Sequence, residues 1–355
     1  MDTLTHLVAG ALTPLAFKDA PKSRLLIPFG ILCGELPDID IVAGSSAEAF
    51  LSIHRGMTHA LAVQPFSALL MALLFHRLLK RGDHAGSWTF GKTWLVAFLA
   101  LLIHLYLDCM TTFGTRIFLP FSDYRVAIPG MFIVDVLLTL PILFLLLTVL
   151  ARGGSKTPPF RRLFPARAAL AWILLYPLLS FGVGQASVAW LSRQYVDEAE
   201  ERGIRRIHLT PEPFAPFNWK LVAEQGDGEY LLAPFSVLRL DEMREFAIYE
   251  RVDPVVWGRL QAKLSLAMMY AEFASFPVVA EHRPARGDDP EGTHSVLVVE
   301  DLRYVQFWKK TLDFFGRSDG IFLFEVCLDA DEEPLAWRFL QRGNDRTGTP
   351  WRRSG

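Results

Sequence analysis

Apolar residues in this chain gather into long runs up to about residue 191 and then disperse. The early runs have roughly the 20-residue length that a membrane-crossing helix needs. They predict spans at 25–44, 60–79, 92–110, 129–151 and 168–191. A shorter apolar segment, Leu4 to Phe17, predicts a broken or tilted helix, because Pro14 interrupts it. Beyond 192, β-rich runs appear between turn signals: Tyr230–Ala233, Ser295–Val299, Gly320–Val326 and Leu335–Leu340. A helical stretch at 253–274 interrupts them, and Arg283 to Gly292 reads as a surface loop. The pattern predicts a polytopic α-helical membrane bundle of five full spans plus a short N-terminal apolar helix. An α+β domain with a mostly antiparallel sheet follows at 192–341, and a disordered tail at 342–355.

Composition narrows the class. Hydrophobic residues make up 51% and charged residues 21%, which excludes a disordered chain and leaves ample apolar surface for a core. The net charge of −2 hides an asymmetry: 15 Lys/Arg against 10 Asp/Glu in 1–191, then 21 against 28 in 192–355. Neither part is basic enough for an electrostatic nucleic-acid binder. Cys33, Cys109 and Cys327 lie far apart without a CxxC, which argues against a disulfide scaffold and a thiolate zinc site. Loops 18–24, 76–92 and 151–167 hold twelve Lys/Arg, whereas the alternate loops hold three, Arg55, Arg116 and Arg125. The positive-inside rule therefore puts the twelve in the cytoplasm. Loops 45–59 and 111–128, and everything after about 191, are then expected outside. The expected location is the cytoplasmic (inner) membrane, multi-pass, with an extracytoplasmic C-terminal domain.

Ionisable residues within or beside spans are costly and usually serve a site. Here they fall in four groups: Glu35, Asp38 and Asp40; His54, Arg55, Thr58 and His59; His104 and Asp108; and Asp135. The orientation above brings all four to the outer end of the bundle, and His6 joins them if Leu4–Phe17 runs inward. His104 and Asp108, four apart, share one helix face. Asp38 and Asp40 follow Pro37, where a bend turns both inward. His54 and His59 are five apart and need a turn at Gly56 to meet. Imidazole with carboxylate and no thiolate suits zinc, manganese or iron(II). More than four candidate ligands permits two ions, which suits hydrolysis of phosphate esters by a metal-activated water. Arg55 is a candidate to steady developing negative charge. Thr58 reads first as a helix cap, and Asp135 as a carboxylate that orients a ligand histidine.

These motifs resemble the YdjM-type family of membrane-bound, metal-dependent hydrolases. The resemblance covers about residues 1–150 and rests on His6 in Leu-Thr-His-Leu-Val-Ala-Gly, Pro37-Asp38-Ile-Asp40, His54-Arg-Gly-Met-Thr-His59 and His104-Leu-Tyr-Leu-Asp108. It continues through Thr112-Phe-Gly-Thr, Pro120-Phe121 and Asp135, and departs at Ala60, where a small hydroxyl residue is expected. It implies metal ligation by His6, Asp38, Asp40, His54, His59, His104 and Asp108, with one or two divalent ions, zinc above manganese or iron. The residues themselves set the expected transmembrane catalytic domain at 1–191, with Arg55, Asp40 and Asp135 as catalytic candidates. The family is in turn distantly similar to zinc-dependent phospholipase C and related nucleases, which implies phosphodiester chemistry on a membrane lipid at the outer leaflet. The C-terminal domain suggests a platform for a protein partner. Two rivals stand beside this reading: a transporter or proton relay, and a degenerate metal-binding scaffold with an outer interaction domain.

Overall fold

The structure is a computed structural model that describes residues 2–42, 47–81, 87–152, 159–226, 228–240, 245–305, 322–340 and 350–353. Most of the expected tail at 342–355 lies outside the described residues. The chain divides into two compact units. The first is Met1–Gly44, Ile53–Val183 and Pro213–Pro216; the second is Ser45–Ser52, Gly184–Glu212 and Phe217–Gly355.

In the first unit, α1 (Thr3–Leu15) starts at an Asp2 cap whose side chain accepts from the Thr5 amide at 3.0 Å. It packs on α2 (Leu26–Glu35) backbone to backbone. A Cβ at Gly10 would stand 2.4 Å from the Gly30 carbonyl oxygen, and one at Gly34 only 2.7 Å from that of His6. Small residues four apart, Gly30 and Gly34, permit this approach as they do between membrane helices. Beyond α2 the chain tightens into a 3-10 helix, Leu36–Val42. After α3 (Ala47–Ile53), which apart from Ile53 belongs to the second unit, comes a short 3-10 turn, Met57–His59, and then α4 (Gln64–Leu79), α5 (Phe90–Cys109), α6 (Val136–Ala151) and α7 (Pro159–Gln194), which passes into the second unit at Gly184. Leu12, Phe29, Val96, Leu101, Leu138 and Ile142 are among the buried residues of its core.

Five full spans are not what these residues form. Among the described residues, two helices are long and apolar enough to cross a membrane: Phe90–Cys109 and Leu163–Gln194. A third counts only if Phe50–His59 and Gln64–Leu79, bent by 69°, form one broken span. The causes are local. The run at 25–44 is cut after ten helical residues, about 15 Å at 1.5 Å per residue, where Leu36-Pro37 opens the 3-10 helix. The run at 60–79 becomes helical only at Gln64, with Pro65 in the first turn. The run at 129–151 starts its helix at Val136, because Asp135 caps it there, and leaves 16 helical residues.

In the second unit, α8 (Val196–Glu201) leads into a four-stranded sheet in sequence order: β1 (Ile204–Glu212), β2 (Ala215–Gln225), β3 (Glu229–Ser236) and β4 (Ala247–Glu250). Helices α9 (Pro254–Lys263) and α10 (Ser265–Phe273) follow, so the predicted helix at 253–274 breaks at Leu264, whose backbone is extended. A five-stranded sheet completes the unit: β5 (Pro277–Pro284), β6 (Ser295–Asp301), β7 (Leu323–Leu328), β8 (Pro334–Leu340) and β9 (Arg352–Arg353). Pairing from β2 to β4 and from β5 to β9 is antiparallel, as in Leu221↔Ala233 and Val298↔Glu325. Val222, Tyr230 and Leu232 of the first sheet share one apolar cluster with Phe276, Val278 and Leu302. Beside it the buried Lys220 ammonium donates to the carbonyls of Arg303 and Val305 and faces Glu212 at 3.4 Å. Arg303 in turn binds Asp301 at 2.7 Å, which gives the Asp301–Tyr304 stretch a structural role.

Candidate metal centre

Three elements of the first unit converge on one buried cluster. Asp38 and Asp40 come from the 3-10 helix after α2, His59 from the 3-10 turn before α4, and His104 and Asp108 from adjacent turns of α5. His59, His104 and Asp108 are fully buried, and one atom from each, with one from Asp38, lies within 4.8 Å of all the others.

The distances inside this group are specific. His59 Nε2 lies 3.1 Å from His104 Nε2, 3.3 Å from Asp38 Oδ1 and 3.2 Å from Asp108 Oδ2. His104 Nε2 lies 3.4 Å from Asp108 Oδ2 and 3.7 Å from Asp38 Oδ1. A tetrahedral zinc site with bonds of 2.0–2.2 Å has ligand-to-ligand edges of about 3.3–3.6 Å. The five measured edges, 3.1–3.7 Å, bracket that span. The residues present therefore fit a divalent ion held by two imidazoles and two carboxylates. Charge agrees: Asp38, Asp40 and Asp108 against Arg55 leave two uncompensated negative charges when the histidines are neutral.

The far side of each ligand is held by the chain. His104 Nδ1 donates to the Gly34 carbonyl at 2.6 Å, which leaves Nε2 facing inward. His59 Nδ1 lies 3.3 Å from Asp40 Oδ2 and 3.1 Å from the Thr58 hydroxyl. Such partners set the tautomer and aim of a ligand imidazole. Asp108 divides its oxygens: Oδ2 faces the centre, while Oδ1 receives Arg55 Nη2 at 2.9 Å and lies 3.2 Å from His6 Nε2. The His6 ring stacks on His104 with centroids 3.7 Å apart, and its buried Nδ1 has no hydrogen-bond partner among the described residues.

Arg55 is itself strongly constrained. Its φ of +56° is in the left-handed region, an uncommon place for a side chain that size. Its amide donates to Asp40 Oδ2 at 3.0 Å, and Nη1 donates to the Thr111 hydroxyl at 3.0 Å. The guanidinium lies over the Phe113 ring at 4.7 Å. This is the turn that His54 and His59 required, and it sends the two imidazoles different ways. His54 Nδ1 meets Asp40 Oδ1 at 3.0 Å, and His54 belongs with Asp38 and Asp40 to a second, less buried group of ligand atoms.

The structure thus gathers Asp38, His59, His104 and Asp108 at one centre and places Asp40, His54 and His6 around it. Arg55 braces Asp108, and Thr58 serves Asp40 and His59 rather than capping a helix. Asp135 is elsewhere employed: Oδ1 accepts from the amides of Leu137 and Leu138, and Oδ2 from the Tyr176 hydroxyl at 2.8 Å. The expectation that it orients a ligand histidine is corrected by that cap. Sequence reasoning missed Thr111, Phe113 and the Gly34 carbonyl. Gly34 left a signal in its four-residue spacing from Gly30, and Phe113 in the Thr112-Phe-Gly-Thr motif.

Comparison with known proteins places this arrangement. The model of a family described as YdjM inner membrane protein matches residues 1–196. The uncharacterized protein YfhP of Bacillus subtilis (strain 168) is 27% identical over 136 residues, 36% of this chain and 40% of that protein. The chain thus spans well under half the length of this curated relative. No solved structure matches it.

Proposed function

The chain belongs to the YdjM inner membrane protein family, and from that premise we propose that it is a membrane-bound, metal-dependent hydrolase. Its substrate class is a phosphate ester, with a phospholipid of the outer leaflet foremost. The observation that carries this reading is the mutual spacing of His59 Nε2, His104 Nε2, Asp38 Oδ1 and Asp108 Oδ2. Those four residues would hold a zinc ion. Such an ion supplies Lewis acidity to a phosphoryl oxygen and lowers the pKa of water toward 7.

The protein's own groups do the rest. Asp40, Thr58 and the Gly34 carbonyl keep both imidazoles turned inward. Arg55 offsets Asp108, so we assign it the role of a positioning residue. Asp38 and His54 are the accessible members, their side chains 12% and 11% exposed, whereas His59, His104 and Asp108 are sealed. Substrate and water therefore approach from the Asp38–His54 side. Loop charge orients the centre: Arg77, Lys80 and Arg81 precede α5, and the centre sits at its opposite end. In this reading the centre faces the outer leaflet and the chain after about 192 is extracytoplasmic.

The test is turnover by purified full-length protein in lipid nanodiscs, read by mass spectrometry of the lipids. Chelation should abolish it, zinc should restore it, and His104→Ala should be inactive. Metal-loaded protein that turns over no member of a phosphodiester and phosphomonoester lipid panel would overturn the hydrolase reading.

A further inference from the structure

The second unit contains a cavity of about 560 Å³, well within the roughly 300–1,000 Å³ of small-molecule sites. Its lining is mostly apolar. Leu191 and Tyr195 stand on one side, Ala199 comes from α8, and Ile207, Leu221 and Leu231 come from β1, β2 and β3. Among the described lining residues Tyr195 is the one uncharged side chain with a hydrogen-bonding group. Two charged residues complete the lining, Arg202 and Glu245, and both are exposed. Among the described residues Arg202 pairs with no carboxylate; its guanidinium lies 5.7 Å from the centre of the Phe246 ring.

We propose that this cavity binds one acyl chain of a singly charged anionic amphiphile, a fatty acid in its simplest form, with the head group at Arg202. Three observations carry it. A lining that is mostly apolar favours a hydrocarbon tail, because a polar ligand would lose hydration against Leu191, Ile207, Leu221 and Leu231 without compensation. Arg202, which pairs with no carboxylate among the described residues, selects a negative head group, and Glu245 in the same lining disfavours a multiply charged one. Leu191 also lies in the last turn of α7, whose apolar length suits a bilayer, so the cavity begins where a lipid tail is at hand. The inference is independent of the metal centre and needs no ion.

The test is photolabelling of full-length protein in nanodiscs with a palmitic-acid analogue carrying a mid-chain diazirine, and with the corresponding long-chain alcohol. Labelled peptides should map to residues 191–207 and 221–231. Ala199→Trp, which fills the hollow from a half-buried helix position, should cut labelling there at least fivefold. Arg202→Gln should cut labelling by the acid about fivefold and leave that by the alcohol unchanged. Thermal unfolding of both variants checks that they fold. Labels confined to residues before 190, or undiminished by Ala199→Trp in folded protein, would overturn the cavity assignment. Equal effects of Arg202→Gln on acid and alcohol would overturn the head-group assignment.

Discussion

The Nε2 atoms of His59 and His104 face each other at 3.1 Å, while the Nδ1 of each is engaged on its outer side. With a proton on each Nδ1, two lone pairs point at one another across a buried gap lined by two carboxylates. A divalent ion held by both Nε2 atoms would turn that repulsion into ligation. The same geometry gives Asp40 and Gly34 their importance, because they decide which nitrogen faces inward.

Asp40→Asn should therefore weaken the centre without destroying it. Loss of a partner that orients a ligand imidazole lowers metal affinity about 10–100-fold. Competition against a fluorescent zinc chelator should show that drop at unchanged stoichiometry. An unaltered affinity would remove Asp40 from its orienting role.

Gly34→Val should act through the backbone. Its Cβ would come within 2.7 Å of the His6 carbonyl oxygen and 3.0 Å of Gly10 Cα, both parts of the main chain. Overpacking of this kind costs about 1–3 kcal/mol, and it displaces the carbonyl that holds His104 Nδ1. We expect a lower unfolding temperature together with reduced metal content. Gly182→Ala, where an added Cβ meets nothing within 4 Å, should lower neither.

Asp135→Ala separates stability from metal binding. Removing the cap of α6 should cost about 0.5–2 kcal/mol, as helix caps do, and also strands the Tyr176 hydroxyl. Zinc stoichiometry should stay at the wild-type value. A loss of zinc in a variant that still folds would show that Asp135 does reach the centre.

The acid limb of stability in the second unit should involve Asp289. Its carboxylate binds Arg283 at 2.6 and 3.0 Å, and those hydrogen bonds hold its pKa below the ordinary value. A folded pKa below the unfolded one, about 3.9, means that the stabilisation is complete above pH 4 and lost as pH falls through the folded value. Asp289→Asn should be less stable at pH 7 and should lose less stability between pH 4 and pH 2. Parallel wild-type and variant curves over that window would contradict this.

The legible and illegible parts of the chain divide along physical lines. Polar residues inside apolar runs announced the centre, because lipid makes them costly wherever they do not serve something. His59, His104, Asp108 and Asp38 were readable for that reason. Helix length was not readable, since hydropathy reports what a segment would bury and not where its backbone turns. Pro37, Pro65 and Asp135 each shortened an apolar run that looked long enough to span. Which candidates share a centre was also hidden: Asp40 and His54 carry the same side chains as Asp108 and His59, and only distances show which atoms meet. Strands β1 and β2 escaped notice because Arg205, Arg206 and Lys220 interrupt their apolar pattern, the last paired internally with Glu212.

The centre itself is tested most directly by metal analysis of the purified protein. Wild-type protein, exchanged into zinc and then desalted, should retain at least one ion per chain by plasma mass spectrometry. The double variant His104→Ala with Asp108→Ala, shown to be folded by circular dichroism, should retain less than a tenth of that. Equal zinc in the two proteins, or none in wild type, would contradict a metal held between His59 and His104.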